Sequence, residues 1–236
     1  MKIVINPQYE SLSAFIKSIP DIFKNEGTLI YKARNQLKTY QTASFEVAVK
    51  SFKKPHFINR VVYTFFRPSK ARRSYEHALR LLENGVPTPA PVAYIEEKEG
   101  GLLSRLYYIS IFEKGYDHIR LYMSGEKKDD DLIKELAKFI SGFHAKGIDF
   151  LDISPGNFLQ KKTESGFSFS LVDINRMKFK STISPQRRYK SFKRISYQPE
   201  VIALLAREYA RYSRLDEKKA VAKITEACRC FFNHKS

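Results

Sequence analysis

The alternation of apolar and polar positions divides the chain into a strand-rich part followed by a helix-rich part. Period-two runs come first: "TLIYKA" from Thr28, "LKTYQT" from Leu37 and "FEVAVKSF" from Phe45, where Val47, Val49 and Ser51 alternate with Ala48 and Lys50. They predict a small antiparallel sheet between Gly27 and Phe52. A helical period follows. Ser69 stands where it can cap a helix whose apolar positions Ala71, Tyr75, Ala78, Leu79 and Leu82 share a face, and Gly85 and Pro87 stop it. That face is expected to lie on the sheet. Two further strands, in "PVAYIEEKEGG" and "SRLYYISIFEKG", flank a turn at Gly100 and Gly101.

From "DDDLIKELAKFISGFHAKG" onward the period is helical, with Leu132, Leu136, Phe139, Ile140 and Phe143 as the stripe. Asp129 to Asp131 sit at its start, where a helix favours negative charge. "FSFSLVDINRMKF" returns briefly to a strand pattern, and the last stretch from Gln198 is helical with a break around Ser213 to Asp216. The change of pattern falls near Phe112 to Tyr116. The expectation is an α+β chain of two lobes: residues 1–112, an antiparallel sheet with one helix, and residues 113–236, mainly helical.

Composition narrows the classes. With 43% hydrophobic and 28% charged residues, the 236-residue chain has an ordinary globular balance rather than that of a disordered one. Lys and Arg number 42 against 25 Asp and Glu, a net charge of +17, which favours polyanionic partners such as nucleic acid, acidic lipid or phosphorylated sugar. Cys228 and Cys230, one residue apart in a helical pattern, point in different directions and suit neither a disulfide framework nor a zinc site. The N-terminus offers only a three-residue apolar run before Asn6 and Pro7, and no stretch approaches the roughly eighteen apolar residues of a membrane span. A cytoplasmic protein is expected, with room for peripheral contact with a membrane.

Moving a phosphoryl group needs cations on the phosphates, a held metal, and a base or orienting group beside the attacking hydroxyl. Lys50, at the end of "VAVK", could reach nucleotide phosphates from a rigid strand, with Glu76 on the following helix as the carboxylate that fixes it; a solvated lysine and an exposed helix acid are the plainer outcomes. "DISPGN" sets Asp152 and Asn157 five residues apart, and Pro155 with Gly156 favours a tight turn that brings the amide oxygen back toward the acid. An Asx-type turn without catalysis would look the same. Asp173, at the end of "SLVD", could join Asn157 as an oxygen ligand of Mg2+, or be a surface acid or helix cap. The order of these elements is more specific than any one of them.

That order resembles the protein-kinase-like superfamily, and within it the lipopolysaccharide core kinases that act on Kdo or heptose. The resemblance runs from about Gly27 to Phe179. It is carried by "VAVK", by "LLENGVPTPAPVAYI", by "FHAKGIDFLDISPGNFL" and by "LVDINRMKF". It implies a bilobal protein-kinase-like fold and an ATP- and Mg2+-dependent transfer to a sugar hydroxyl. The implied roles are Asp152 as catalytic base, Lys50 on the phosphates with Glu76 as its partner, and Asn157 and Asp173 as metal ligands. His144 matches the family's first histidine and is expected to have a structural job, as a cation at the helix C-terminus or through a hydrogen bond that braces the loop.

Three departures stand out. Phe150 and Leu151 occupy the positions where His and Arg commonly precede the catalytic acid, which speaks against regulation through a phosphorylated activation loop. Asn175 replaces the glycine of the third motif. No Gly-x-Gly-x-x-Gly joins the first two strands, so backbone amides of Ala33 to Gln36 are left to cover phosphates. The basic run Arg176, Lys178, Lys180, Arg187, Arg188, Lys190, Lys193 and Arg194 contains no acid, and "FKKPHFINRVVYTFFRPSKARR" mixes basic and aromatic residues. Together with the resemblance, these suggest an anionic glycolipid acceptor, lipid A–core, at the inner face of the inner membrane, with Phe57, Phe65 and Phe66 near the bilayer. A RIO-like protein kinase and an inactive kinase-like binding module are the alternative functions. Nucleic acid ranks last for want of a recognition motif, and the oligomeric state is open.

Overall fold

The alternating runs of the first unit, Met1–Lys114, close into one six-stranded antiparallel sheet. The computed structural model describes residues 1–233, and the second unit is Gly115–Ser236. The sheet takes β1 (Lys2–Ile5), β2 (Thr28–Lys32), β3 (Gln36–Gln41), β4 (Glu46–Phe52), β5 (Pro91–Glu99) and β6 (Leu102–Ile111), in the order β1-β5-β6-β4-β3-β2. Three helices accompany it: α1 (Ser13–Ile22), α2 (Phe57–Phe65) and α3 (Lys70–Glu83).

Alternation along β4 gives the sheet two apolar faces. Val47 and Val49 join Tyr40, Ile95 and Ile109 in a cluster closed by Ile16, Ile19 and Phe23 from α1 and its end. Phe52, on the opposite face, packs with Tyr94 and Leu106 against Ala71 and Tyr75 of α3. As expected, Ser69 caps α3, its hydroxyl accepting the Arg72 N–H at 3.1 Å. The pattern predicts one helix in this part; the structure adds α1 and α2. Local signals for them are weak: no side chain caps either helix, α1 holds Pro20 in its interior, and α2 buries none of its residues.

The end of α1 is secured from a distance. Lys38, buried on β3, sends its ammonium to the carbonyls of Phe23 and Glu26, each at 2.7 Å. At Phe23, the C-cap of α1, the cation meets both a helix carbonyl's hydrogen-bonding need and the negative end of the dipole, and at Glu26 it holds the chain just beyond the helix.

The second unit interleaves helices with short strands: β7 (Asp117–His118), α4 (Arg120–Met123), α5 (Asp130–Ala145), β8 (Ile148–Asp149), β9 (Phe158–Thr163), β10 (Gly166–Leu171), β11 (Lys178–Phe179), α6 (Pro185–Ser191), α7 (Pro199–Ser213) and α8 (Glu217–Asn233). The strands form a sheet ordered β10-β9-β7 and a separate β8–β11 pair. Asp129 caps α5 by accepting from the Leu132 N–H at 3.0 Å. Leu132, Leu136, Ile140 and Phe143 of α5 are buried, and Phe139 stacks on Phe169 of β10 with ring centroids 5.5 Å apart. The expected helix break is a left-handed Arg214 (φ 52°) closing α7. Cys228 is buried and Cys230 exposed on α8, both free, and burial pushes the Cys228 thiol up to about 12. Among the described residues, no helix is long and apolar enough to cross a membrane.

Candidate active site

The loop after β8 shows why an acid can stand in apolar company. Phe150 and Ile153 on either side of Leu151-Asp152 are wholly buried, and the Phe150 ring lies 6.2 Å from that of Phe158. Those anchors hold the backbone while the Asp152 side chain stays 22% exposed. Pro155–Asn157 form a single 3-10 turn, which carries Asn157 back under the acid. The Asn157 amide nitrogen donates to the Asp152 carbonyl at 2.8 Å, so its oxygen is the atom left to face a ligand. Its backbone carbonyl accepts the Val172 N–H at 3.0 Å, which ties the loop to the strand leading into Asp173.

Asp173 is held in an unusual conformation. Its φ of 57° and ψ of 39° are left-handed, and among the described residues only Arg214 shares a positive φ without being glycine. Aspartate tolerates that region better than most residues but still at a cost of about 1 kcal/mol or more, and such outliers cluster at functional sites. Asn175 donates to Asp173 Oδ1 at 2.9 Å, which gives the residue in the glycine position a holding role.

An amide oxygen and a carboxylate are a small donor set. It suits a hard divalent cation that takes its remaining ligands from water and phosphate oxygens. Among the described residues, no group of three or more His, Cys, Asp or Glu could hold a metal.

Asp152 of the loop and Asp149 at the end of β8 carry cations that no local pattern points to. Arg194 Nη1 lies 2.5 Å from Asp152 Oδ1. Asp149, 1% exposed, receives Arg187 Nε at 3.1 Å and Lys180 Nζ at 3.1 Å. Three members of the basic run therefore bind acids of their own unit, 31 to 42 residues away along the chain by their numbers. A long acid-free run rich in Lys and Arg gives no sign of which cation will find which acid.

His144 is buried, with Nδ1 2.8 Å from the Tyr209 hydroxyl, and burial lowers it to about 3. It is neutral at physiological pH, so it is no helix-end cation, and its job is structural through a hydrogen bond other than the one expected. The bond reaches α7 rather than the loop. Gly147, with φ of 73°, lets β11 pass close: a Cβ there would run into the Lys180 carbonyl, whose own N–H donates to Gly147 O at 2.9 Å.

In the first unit, Lys50 faces Leu37 of β3 and Tyr108 of β6 in register, and its ammonium lies 5.6 Å from the centre of the Phe52 ring. Alternation puts it on the face that carries α3. Glu76, on that helix, takes Arg72 as a partner one turn away at 2.6 Å and is 43% exposed. In the turn between β2 and β3, the Ala33 N–H is used on the Asn35 carbonyl, and no residue has the positive φ that a nest of amides requires.

A loop acid braced by buried aromatics, with an amide and a strained carboxylate tied to it, on a chain that begins with a lysine-bearing antiparallel sheet, belongs to the phosphotransferases of the kinase-like fold. Comparison with known proteins makes the assignment specific. The model of the lipopolysaccharide kinase (Kdo/WaaP) family matches residues 47–215. The chain is a member of that family and a phosphotransferase. Its fold is similar to the solved structure of WaaP in complex with acyl carrier protein, with a TM-score of 0.65 at 15% identity over 98% of this chain and 100% of that one. No curated protein sequence matches it.

Proposed function

We propose that the chain transfers the γ-phosphoryl group of ATP to a hydroxyl of a Kdo or heptose unit in the lipopolysaccharide core. The observation that carries this reading is the hydrogen-bonded continuity of Asp152, Asn157 and the strand entering Asp173. Asp152 orients the acceptor hydroxyl and takes its proton. As the oxygen–phosphorus bond forms, the bond from Pγ to the bridging oxygen breaks, and ADP leaves with that electron pair. Asn157 and Asp173 are the residues that would hold Mg2+, which supplies charge neutralisation at the phosphate oxygens. Lys50 is assigned to the nucleotide phosphates. Glu76 is assigned to orient Lys50, a role that means releasing Arg72.

In this reading residues 1–112 form the phosphate-binding lobe and residues 113–236 the catalytic one. Arg194 reaches the carboxylate that would meet the acceptor, so the same guanidinium can steady Asp152 and lie near the transferred charge. The net charge of +17 suits an anionic glycolipid presented at the inner membrane surface.

Thermal stability with and without ATP and Mg2+ tests the nucleotide part. A metal-dependent rise is expected, because a ligand that binds only the native state stabilises it. No rise at saturating concentrations would leave an inactive kinase-like module as the better description.

A further inference from the structure

Helix α2 turns its apolar side away from the protein. Phe57, Ile58, Val61, Val62, Phe65 and Phe66 recur at four-residue intervals in pairs and so form one stripe. Phe57, Ile58, Phe65 and Phe66 are 68, 76, 68 and 80% exposed. The polar residues between them fasten the helix to the sheet. Arg60 donates to the carbonyls of Leu103 at 2.8 Å and Glu99 at 2.7 Å, while the Thr64 hydroxyl accepts the Leu103 N–H at 3.0 Å. A surface helix of a water-soluble protein has the reverse arrangement.

An exposed contiguous apolar patch marks an interaction surface, and its rim says with what. Lys53 and Lys54 precede the helix, Arg67 and Lys70 follow it, and Lys54 is already balanced by Glu99. A cavity of about 590 Å³ lies at the C-terminal end of α2, where Lys2, Arg67, Lys98 and Arg72, the last paired with Glu76, line it together with Phe65, Phe66 and a single acid, Glu96. The stripe is convex and about 13 Å long at helical rise, a shape for lying in a headgroup layer rather than for enclosing a single chain.

We propose that α2 is a bilayer-docking helix. Its stripe enters the boundary between headgroups and acyl chains of an anionic membrane, and the cavity beside it takes a headgroup phosphate. This deepens the proposed function, since a glycolipid acceptor resides in such a layer. It is testable without catalysis.

The sequence contains no tryptophan, so Phe66→Trp reports from one place. With vesicles of phosphatidylcholine mixed with phosphatidylglycerol, and no nucleotide present, its emission should shift to the blue and be quenched by lipids brominated in the acyl chains. Pure phosphatidylcholine vesicles or high salt should reduce both effects. The double variant Phe57→Ser, Phe65→Ser, which touches only exposed side chains, should sediment with the anionic vesicles at least about tenfold less, with its melting temperature unchanged. Arg67→Glu with Lys98→Glu should weaken binding to anionic vesicles selectively. An unchanged Phe66→Trp spectrum with anionic vesicles at low ionic strength would overturn the proposal, as would wild-type sedimentation of the serine variant. A blue shift that grows with protein concentration in the absence of vesicles would overturn it in favour of a second copy of the chain. Wild-type binding by the charge-reversed variant would remove the cavity from the headgroup role.

Discussion

Asp173 and His144 are each held in a state that water would not choose, and each makes a prediction of its own. Asparagine tolerates the left-handed region as aspartate does, so Asp173→Asn is expected to change unfolding free energy by less than about 0.5 kcal/mol. The same variant should lose the Mg2+-dependent stabilisation by ATP. A variant that kept that stabilisation would take Asp173 out of the metal site. His144 has a lowered pKa of about 3 in the fold against an ordinary 6.5. Above pH 6.5 neither state holds the proton, and the full stability is present. From there down toward pH 3 the unfolded chain takes a proton that the native one refuses, so stability falls, by at most about 1.4 kcal/mol per pH unit. Replacing both partners, His144→Phe with Tyr209→Phe, removes this site without orphaning a hydroxyl. Denaturant unfolding between pH 7 and pH 5 should then show a smaller loss than wild type. Some slope remains, because His118 is also lowered, chiefly by burial and then by Arg120.

At the scale of elements, what could be read ahead depended on whether the signal was local. Helix α3 announced itself through Ser69, the buried positions Ala71, Tyr75 and Ala78, and Gly85, although Leu82, expected on the same face, is exposed and Leu81 is buried instead; β4 and the β5–β6 pair did so through alternation and the Gly100–Gly101 turn. Strand β1 has only four residues and gains its identity from pairing with β5, some ninety positions on, so its own sequence says little. Helix α1 relies on a cation from β3 in place of a side-chain cap of its own. Lys38→Ala should therefore lower stability by about 2–3 kcal/mol, read as a lower denaturant midpoint at constant slope, since two charge-assisted bonds to backbone carbonyls are lost, one of them buried. A change within about 0.5 kcal/mol would mean that water replaces the ammonium at no loss. Helix α2 has apolar residues at helical spacing, but they face outward and no side chain caps the helix, so neither a cap nor a packed face marks it.

At the scale of the molecule, the linear order of a strand lysine, a helix acid, a loop acid with its amide and a strand-end acid was enough to identify the family, and residues 47–215 match its model. The return of Asn157 toward Asp152 was legible because Pro155 and Gly156 favour a tight turn, but the amide approaches with its nitrogen, bonded to the Asp152 backbone carbonyl, rather than with its oxygen. The Arg194 contact was not legible, because a side chain 42 residues away in a run of eight cations has no local mark. Its distance from Asp152 puts a positive charge on the carboxylate assigned to the acceptor hydroxyl. The most direct measurement is transfer of labelled γ-phosphate from ATP to a glycolipid acceptor carrying Kdo or heptose, with a generic protein substrate in parallel, for the wild type and Asp152→Asn. Label should enter the glycolipid in the presence of Mg2+ and fall by at least about a hundredfold in the variant. Transfer at the wild-type rate by Asp152→Asn, or label entering the protein substrate in place of the glycolipid, would contradict it.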